Sequence, residues 1–348
     1  METFHRPIYY DATAMDAVDD ASVNLVLTSP PYPMVQMWDP LFSHQDPKIT
    51  HALETHQGPL AFEAMHRILD RVWAECFRVL APGGFACINI GDATRSLGTE
   101  FALYPNHSRI LAAALSLGFT CLPTIIWRKQ TNAPNKFMGS GMLPAGAYVT
   151  LEHEYILILR KGGKRIFSSE AQRQIRRESA IFWEERNKWF SDVWMDIKGS
   201  RQALGNKETR NRSAAFPFEL AHRLILMYSL KEDTVLDPFL GLGTTMAAAM
   251  ATGRNSLGYE IDPNLGPVIA QTAGAAIALG QDTSQRRLEN HRQFIREREA
   301  LKGPTKHWNL PHDMAVVTAQ EKALHLTPPS RMEVDTGHLI PEWFKVLY

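Results

Sequence analysis

A five-residue loop near the start of the chain combines a hydroxyl, an aromatic ring and backbone carbonyls that could act on a ligand. The loop reads Thr28-Ser29-Pro30-Pro31-Tyr32 and follows an apolar run of strand length. Neither proline has an N–H to donate to a sheet, and each restricts the residue before it to extended geometry. The chain therefore leaves the strand in a stiff loop at its carboxyl end, where open α/β sheets bind ligands. The pentapeptide alone is equally compatible with a strand-ending turn whose tyrosine packs in the core.

A second loop has the composition of a cofactor site. It reads Asp237-Pro238-Phe239-Leu240-Gly241-Leu242-Gly243-Thr244-Thr245. Its glycines let the backbone approach a ligand, and it lacks the lysine of a nucleoside-triphosphate loop. Glu260 lies nineteen residues beyond Gly241 at the predicted end of the next strand, where a carboxylate can bind a ribose diol. The alternative for Glu260 is a surface carboxylate. These residues by themselves predict a nucleoside-like cofactor.

Together the two loops resemble those of the amino-methyltransferases that modify exocyclic amines of DNA bases. In that family a (Ser/Asn/Asp)-Pro-Pro-(Tyr/Phe) loop holds the amine, and an Asp-Pro-Phe-x-Gly-x-Gly-Thr-Thr loop holds S-adenosyl-L-methionine. The resemblance implies that the catalytic residues are Ser29, Pro30, Pro31 and Tyr32. It implies that the cofactor contacts Asp237, Pro238, Phe239, Gly241, Gly243, Thr244, Thr245 and Glu260.

The resemblance adds four cofactor residues outside the two loops. Asp11 is expected at the end of the third strand, within reach of the adenine amine. Phe216 matches the segment that packs near the methionine part of the cofactor, and Asn211 and Ser213 are candidates for its carboxylate.

The catalytic loop has a defined chemical task on an aromatic amine, whose lone pair is delocalised into the ring. The Ser29 hydroxyl and the Pro30 carbonyl can accept the two amine hydrogens and direct the lone pair at the methyl group. Tyr32 can supply a stacking face for a base pulled out of the duplex. Serine at the first position resembles the branch that methylates cytosine N4, whereas the adenine N6 branch usually carries Asp or Asn. We therefore predict N4-cytosine methylation, with adenine N6 as the alternative.

Other reaction classes fit the sequence less well. Cytosine C5 methylation needs a nucleophilic cysteine, and the three cysteines all lie in apolar stretches. RNA and protein amide methyltransferases commonly carry Asn-Pro-Pro-Tyr and keep the opposite loop order. Here the catalytic loop precedes the cofactor loop by about two hundred residues, which resembles the permuted, beta-type members of the family. A non-catalytic DNA-binding protein with the same fold is a further alternative, which the intact loops oppose.

A basic segment predicts contact with double-stranded DNA. Residues 160–212 contain fourteen Lys and Arg against seven Asp and Glu, an excess of seven positive charges in a chain of zero net charge. In the permuted family the target-recognition region falls at about residues 163–205, inside this segment. The alternative is a solvated surface over a small aromatic core. The residues predicted to bind DNA are Arg128, Lys129, Arg173, Arg176 and Arg177.

The elements that position these loops alternate between strand and helix. This alternation predicts an α/β fold, and the resemblance specifies an S-adenosylmethionine-dependent, Rossmann-like sheet of seven mostly parallel strands, circularly permuted and carrying a recognition insert. Residues 33–58 are predicted to be a long loop because they contain several prolines. Strands are predicted at residues 8–12, 23–27, 85–90, 121–127, 153–159, 234–236 and 256–261. Helices are predicted at residues 62–80, 107–117, 218–230, 245–252, 263–278 and 282–302.

The predicted division of the chain has four parts. The catalytic half of the methyltransferase domain is expected at residues 1–162 and the recognition insert at 163–205. The cofactor-binding half follows at residues 206–280, and a helical or irregular extension at 281–348.

The composition and termini predict a cytoplasmic protein. The chain of 348 residues is 45% hydrophobic and 21% charged, which is typical of a globular protein. It has no apolar run of membrane-spanning length and no apolar signal core at its start. Its histidines lack metal-ligand spacing, so no metal is predicted. A cognate restriction endonuclease is an open partner, and the oligomeric state is either monomer or homodimer.

Overall fold

The structure is a computed structural model that describes residues 1–129, 138–199, 216–335 and 341–348. The strands are β1 (Glu2–Ile8), β2 (Val23–Thr28), β3 (Leu80–Ile90), β4 (Ala93–Leu97), β5 (Glu100–Tyr104), β6 (Phe119–Arg128), β7 (Met138–Gly139), β8 (Ala147–Tyr148), β9 (His153–Lys161), β10 (Val193–Trp194), β11 (Thr234–Asp237), β12 (Asn255–Tyr259), β13 (His307–Asn309), β14 (Met314–Val316), β15 (Arg331–Val334) and β16 (Phe344–Leu347). The α-helices are α1 (Asp39–Gln45), α2 (Pro47–Glu54), α3 (Gly58–Val79), α4 (Asn106–Leu117), α5 (Glu170–Glu178), α6 (Trp183–Trp189), α7 (Phe218–Tyr228), α8 (Thr244–Thr252) and α9 (Gly266–Lys302). No helix in these ranges is long and apolar enough to cross a membrane.

The main sheet has ten strands in the order β10-β6-β9-β3-β2-β11-β12-β1-β16-β15. Its centre, from β6 to β1, has seven strands, and six of them match predicted strands. From β3 to β1 every pair of neighbours in this centre is parallel, and β9 alone runs antiparallel to the strands on its two sides. The predicted α/β sheet is therefore confirmed. Three short strands widen it: β10 beside β6, and β16 and β15 beyond β1.

Helices bury both faces of the sheet. Along β2, Val26 belongs to the apolar cluster that includes helix α3, whereas Leu25 and Leu27 belong to the cluster that includes α7. This alternation follows from the two-residue period of a strand. A sheet that is apolar on both faces explains why its central strands were visible as nearly continuous apolar runs.

The first strand lies earlier than predicted. It spans Glu2–Ile8, and the predicted strand at residues 8–12 is the turn that follows it. The prediction failed because two of the buried side chains in β1 are polar. Thr3 and His5 are fully buried, and their side chains are 2.8 Å apart between Oγ1 and Nε2, while His5 Nδ1 lies 2.8 Å from Ser256 Oγ. Their hydrogen bonds replace the apolar contacts that a search for strands expects.

The predicted loop at residues 33–58 is largely helical, so that prediction was wrong. A 3₁₀ turn at Gln36–Trp38 leads into α1 and α2. Pro40 and Pro47 lie in the first turns of these helices. The N–H groups of a first turn have no partner within the helix, so the missing N–H of proline costs nothing there, and its fixed φ favours the helix. The Asp46 side chain caps α2 by accepting a 3.0 Å bond from the Lys48 N–H.

The two helices predicted at residues 263–278 and 282–302 are one helix of 37 residues, preceded by a 3₁₀ turn at Pro263–Leu265. Gly280 does not interrupt it. A Cβ at Gly280 would lie 2.6 Å from Pro329 Cγ and 3.0 Å from Ala251 Cα. The glycine therefore permits close packing of α9 against α8 and residue 329, and this packing offsets its low helix propensity.

Helix α9 connects the sheet to the predicted insert. Its first half packs on α8, and its second half binds α6. Arg287 donates two bonds of 2.6 and 2.7 Å to the carboxylate of Glu185, and the Arg287 side chain is only 9% exposed. Phe182 from the insert also shares an apolar cluster with Met314 and Val316 of the β13–β14 hairpin. The insert and the extension are thus in contact, while the four-part division stays a prediction.

Candidate active site

Four neighbouring parallel strands end at one edge of the sheet and bring the predicted loops together. β2 and β11 are hydrogen-bonded side by side, with Val26 opposite Leu236. The catalytic loop follows β2, and the glycine loop follows β11. Glu260 directly follows β12, and Asp11 comes three residues after β1. Parallel neighbours end on the same side, so the topology alone makes these residues neighbours.

A cavity of about 540 Å³ opens at this edge. Its volume lies within the range of small-molecule sites, roughly 300–1,000 Å³. Twelve predicted site residues line it: Asp11, Ser29, Pro30, Pro31, Phe216, Asp237, Pro238, Phe239, Gly241, Thr244, Thr245 and Glu260. Tyr32 and Gly243 lie in the same loops behind this wall. Asn211 and Ser213 lie outside the described residues.

The glycine loop is built around the carboxylate of Glu260. The N–H of Gly241 donates to one carboxylate oxygen at 2.8 Å, and the N–H of Asp262 donates to the other at 2.9 Å. Gly241 and Gly243 have φ values of 54° and 82°, in the left-handed region that favours glycine. Burial raises the pKa of Glu260 to about 6. Each oxygen retains a lone pair for a ligand hydroxyl.

Asp237 connects the glycine loop to the catalytic loop. It is almost completely buried, and it accepts bonds of 2.6 Å from the hydroxyls of Thr28 and Thr245. The N–H of Phe239 adds a third bond of 3.0 Å. Burial raises the pKa of Asp237 to about 6, although these donors oppose the rise. Its carboxylate is occupied within the protein, so it shapes the cavity wall more than it offers free acceptors.

Asp11 and Phe216, two further predicted cofactor residues, both line the cavity. Asp11 Oδ1 accepts a 2.8 Å bond from the N–H of Thr13, and the residue lines the cavity. Phe216 is buried and contributes its ring to the same wall. Their roles toward a cofactor stay predictions.

The catalytic loop places Ser29 on the cavity wall and Tyr32 behind it. Ser29 Oγ donates a 3.1 Å bond to the Tyr32 hydroxyl, which donates to Glu154 at 3.0 Å and accepts from Asn89 at 2.9 Å. Tyr32 is 8% exposed, and a Cβ at Gly91 would lie 3.0 Å from its ring. The stacking role of Tyr32 stays a prediction, but its hydroxyl already belongs to an internal network.

Sequence reasoning missed Asn89 and Glu154. Both lie in strands with mostly apolar centres, Asn89 in β3 and Glu154 near the start of β9. A buried amide or carboxylate in an apolar strand needs a polar partner, and this rule could have marked both positions. Both contact Tyr32 of the catalytic loop, which is 57 residues from Asn89 and 122 residues from Glu154. Local sequence patterns therefore could not identify these contacts.

The wall of the cavity opposite the sheet was also missed. It comes from the 3₁₀ turn and α1, which contribute Met37, Trp38 and Leu41. Asp39 in this stretch accepts two bonds of 2.8 and 2.7 Å from the guanidinium of Arg95, which fixes α1 to the β4–β5 hairpin. Residues 36–45 are therefore part of the site.

The five residues predicted to bind DNA are exposed or half-exposed, and most already face acidic side chains. Arg128 pairs with Glu152 at 3.1 Å, and Lys129 pairs with Glu154 at 2.8 Å. Arg173 and Arg177 both pair with Glu170. Arg176 lies over the ring of Phe167 at 4.7 Å. Their contact with DNA stays a prediction.

In the described part of the chain, Glu184, His291 and Glu321 are close enough to hold a metal ion. His291 instead joins two acceptors, Glu184 Oε1 at 2.8 Å and the carbonyl of Ala315 at 3.0 Å. Burial lowers the pKa of His291, but the bond and charge of Glu184 outweigh it and raise the value above the ordinary one. Because both ring nitrogens face acceptors, each carries a hydrogen in this arrangement, and the imidazole is joined to Glu184 as an ion pair.

The geometry and the fold agree with a known family of DNA-modifying enzymes. Residues 23–271 match the sequence model of the N6/N4 methyltransferases, a family described as DNA methylases. The chain belongs to this family, and it is a DNA methyltransferase of the N4/N6 type.

Two relatives are called Type II methyltransferases. The chain is 52% identical over 330 residues to M.MthZI of Methanothermobacter thermautotrophicus, covering 94% of this chain and 92% of that protein. It is 48% identical over 283 residues to M.MjaI of Methanocaldococcus jannaschii, covering 78% and 92%.

Two solved structures share the fold. TTHA0409 of Thermus thermophilus, solved in complex with S-adenosyl-L-methionine, has a TM-score of 0.61 at 32% identity, covering 78% of this chain and 94% of that one. The cytosine-N4-specific PvuII DNA methyltransferase has a TM-score of 0.50 at 15% identity, covering 79% and 93%. The predicted S-adenosylmethionine-dependent methyltransferase fold is therefore confirmed.

Proposed function

We propose that the protein transfers a methyl group from S-adenosyl-L-methionine to the exocyclic N4 amine of cytosine in double-stranded DNA. The observation that carries the proposal is the position of Ser29. Its hydroxyl lies on the wall of the cavity, and its proton is donated away from the cavity to Tyr32. The serine oxygen is thus an acceptor for an amine hydrogen. Serine at this position resembles the N4-cytosine branch of the family.

The cavity fits the proposed cofactor. A Cβ at Gly241 would meet no heavy atom closer than 3.8 Å, so its backbone borders open space. Glu260 presents a carboxylate that can accept bonds from a ribose diol, and Asp11 presents one that can accept from an adenine amine. Leu240 and Phe239 add apolar surface. When bound, S-adenosyl-L-methionine supplies an electrophilic methyl group on a sulfonium centre.

The residues of the chain act mainly by orientation. Ser29 Oγ and the carbonyl of Pro30 accept the two amine hydrogens, which concentrates the nitrogen lone pair on the side facing the methyl group. Formation of the nitrogen–carbon bond would break the carbon–sulfur bond and leave a neutral thioether, and one of the two amine hydrogens would leave as a proton to solvent. The Pro-Pro backbone holds these acceptors rigidly, which lowers the entropy cost of alignment. The 3₁₀ turn and α1 add the apolar side chains of Met37, Trp38 and Leu41 to the cavity wall, which limits the number of water molecules beside the reacting atoms.

Nucleoside analysis tests the proposal. The protein is incubated with double-stranded DNA of mixed sequence and methyl-labelled S-adenosyl-L-methionine, and the DNA is then digested to nucleosides. Label in N4-methylcytosine is the expected result. Label in N6-methyladenine would replace the proposal with the adenine alternative, and unlabelled DNA would overturn both.

We also propose that the protein works beside a cognate restriction endonuclease. The support is that two relatives carry the name Type II methyltransferase. If so, DNA methylated by this protein resists cleavage by an endonuclease encoded next to it, and unmethylated DNA does not.

A further inference from the structure

A chain of hydrogen bonds runs from the cavity into the protein behind Ser29. Ser29 Oγ donates to the Tyr32 hydroxyl at 3.1 Å, and Tyr32 donates to Glu154 Oε2 at 3.0 Å. Asn89 Nδ2 donates to both the Tyr32 oxygen at 2.9 Å and Glu154 Oε2 at 2.7 Å. The Lys129 ammonium donates to the other oxygen of Glu154 at 2.8 Å.

The direction of each proton in this chain follows from its partners. Burial and the adjacent charge of Glu154 raise the pKa of Tyr32 well above its ordinary value, so the phenol keeps its proton. That proton is directed to Glu154, because an ionised carboxylate can only accept. The Tyr32 oxygen receives the amide hydrogen of Asn89 and has room for one more donor, which is the hydroxyl of Ser29.

The consequence for catalysis lies at Ser29. Its hydrogen is held by Tyr32, so its lone pairs face the cavity. If Glu154 were absent, the Tyr32 hydroxyl would have no carboxylate to donate to and could turn its proton toward Ser29. The serine hydrogen would then point into the cavity and meet the target amine as a donor, which opposes transfer.

We propose that Glu154 is a positioning residue for methyl transfer, acting through Tyr32 to keep the Ser29 oxygen an acceptor for the target amine. The inference rests on the proposed methyltransferase function. Lys129 supports it by fixing the second carboxylate oxygen, and its own position over the Trp127 ring at 5.5 Å holds the ammonium in place. Lys129 thus has a role inside the site in addition to its predicted contact with DNA.

A double-mutant cycle tests the proposal. The single-turnover rate constant is measured for the full-length wild type, Glu154→Ala, Ser29→Ala and the double variant, with saturating S-adenosyl-L-methionine and DNA. We expect Glu154→Ala to lower the rate constant about tenfold to a hundredfold. In the Ser29→Ala background, Glu154→Ala should lower the rate constant less than about twofold, because the hydroxyl through which Glu154 acts is already absent. Additive losses would overturn the proposal.

Three further measurements separate positioning from loss of structure. The Kd for S-adenosylhomocysteine should change less than about twofold in Glu154→Ala, because the residue does not line the cavity. Glu154→Gln should recover most of the rate, because its carbonyl can accept from Tyr32 while the half-exposed Lys129 turns to solvent. If Glu154→Gln is as slow as Glu154→Ala, the carboxylate takes up a proton and the positioning role is wrong. Glu152→Ala, which changes an exposed acid on the same segment, is the matched control and should leave the rate unchanged.

Should Glu154→Ala fail to fold, Tyr32→Phe replaces it in the cycle. This variant keeps the ring and removes only the hydroxyl that links Glu154 to Ser29. A loss in rate that disappears in the Ser29→Ala background supports the proposal, and a loss that persists overturns it. A wild type that does not methylate DNA contradicts the proposed function itself. A wild type that methylates DNA but gives an additive cycle contradicts only the role of Glu154.

Discussion

The hydroxyl of Thr28 donates a 2.6 Å hydrogen bond to the carboxylate of Asp237. The two residues are 209 positions apart in the chain, and each is the last residue of its strand, β2 or β11. One bond therefore joins the loop that carries Ser29 to the loop that borders the cofactor cavity. This bond fixes the two loops relative to each other at the end of the strands that borders the cavity.

Replacing Thr28 with valine should destabilise the protein while preserving side-chain shape. The change leaves a buried carboxylate with one donor fewer, which costs about 1–3 kcal/mol of unfolding free energy. Urea denaturation measures the loss. Thr252→Val is the matched control, because the buried Thr252 hydroxyl donates only to carbonyls of its own helix, those of Ala248 at 2.7 Å and Ala249 at 3.2 Å. Equal losses in the two variants would contradict a special role for the bond between Thr28 and Asp237.

The affinity for the cofactor should depend on the ionisation of Glu260. Its pKa is raised to about 6 by burial, and the carboxylate accepts hydroxyl hydrogens better than the neutral acid does. We expect the Kd for S-adenosylhomocysteine, measured by calorimetry, to rise as the pH falls below about 6. Glu260→Gln should bind about 1–3 kcal/mol more weakly at pH 8.

Titration of the ligand itself affects the wild type and Glu260→Gln equally, so it cancels in the difference between their binding free energies. That difference should shrink as the pH falls from 8 to 5, because the wild type loses its charge and the variant has none. If the difference stays constant over this range, Glu260 does not bind the ribose through its carboxylate.

Asp237 should make the stability of the protein depend on pH in an unusual direction. Its folded-state pKa of about 6 exceeds its ordinary value of 3.8, so the folded state binds this proton more tightly than the unfolded chain does. The contribution of Asp237 to the unfolding free energy therefore falls as the pH rises from about 4 to about 6. Asp237→Asn has no such titration, and Thr245 can reverse its hydroxyl to accept from the new amide.

The comparison of Asp237→Asn with wild type isolates this effect from all other carboxylates. The unfolding free energy of the variant, relative to wild type, should increase by roughly 2 kcal/mol between pH 4 and pH 7. Chemical denaturation at several pH values measures it. Asp282→Asn, at a largely exposed position on α9, serves as the control and should show no trend. A flat profile for Asp237→Asn would show that Asp237 titrates normally.

The ion pair between Glu185 and Arg287 should hold the segment around α6 against α9. Glu185→Ala leaves a guanidinium that is nearly buried between Phe182 and Trp189 without its carboxylate. Removing one partner of a buried ion pair lowers the unfolding free energy by about 3–5 kcal/mol. Denaturation and limited proteolysis should both show the change. Glu170→Ala, which removes an exposed acid from two ion pairs, should change neither, and similar behaviour of both variants would refute the prediction.

The two loops of the site could be predicted because their residues restrict the backbone locally. Pro30 and Pro31 end a strand wherever they occur, and the glycines of the second loop allow left-handed conformations that few other residues adopt. The apolar runs before both loops identified their strands. The parallel sheet then follows from the alternation of strands and helices, and it accounts for the meeting of Ser29, Asp237 and Glu260 at one edge.

The features that were missed depend on contacts between distant residues. The role of Glu154 depends on its hydrogen bond with Tyr32, which is far away in the sequence. The polar residues of β1 form a strand because β1 pairs with β12 and β16. The prolines of residues 33–58 can break a helix or begin one, and the choice depends on whether the helix finds a surface to bury. Phe42 and Ile49 are fully buried against the core, and this burial decides the outcome.

The attachment of the segment around α6 to helix α9 also bears on how such enzymes can be recombined. Glu184 and Glu185 are held by His291 and Arg287, about a hundred positions further along the chain. A chimera that imports residues 163–199 alone would set foreign side chains against these two cations. One that also takes residues 283–326 from the same donor would keep both pairs. The unit of exchange is therefore discontinuous, and grafts that respect it should fold where single-segment grafts fail.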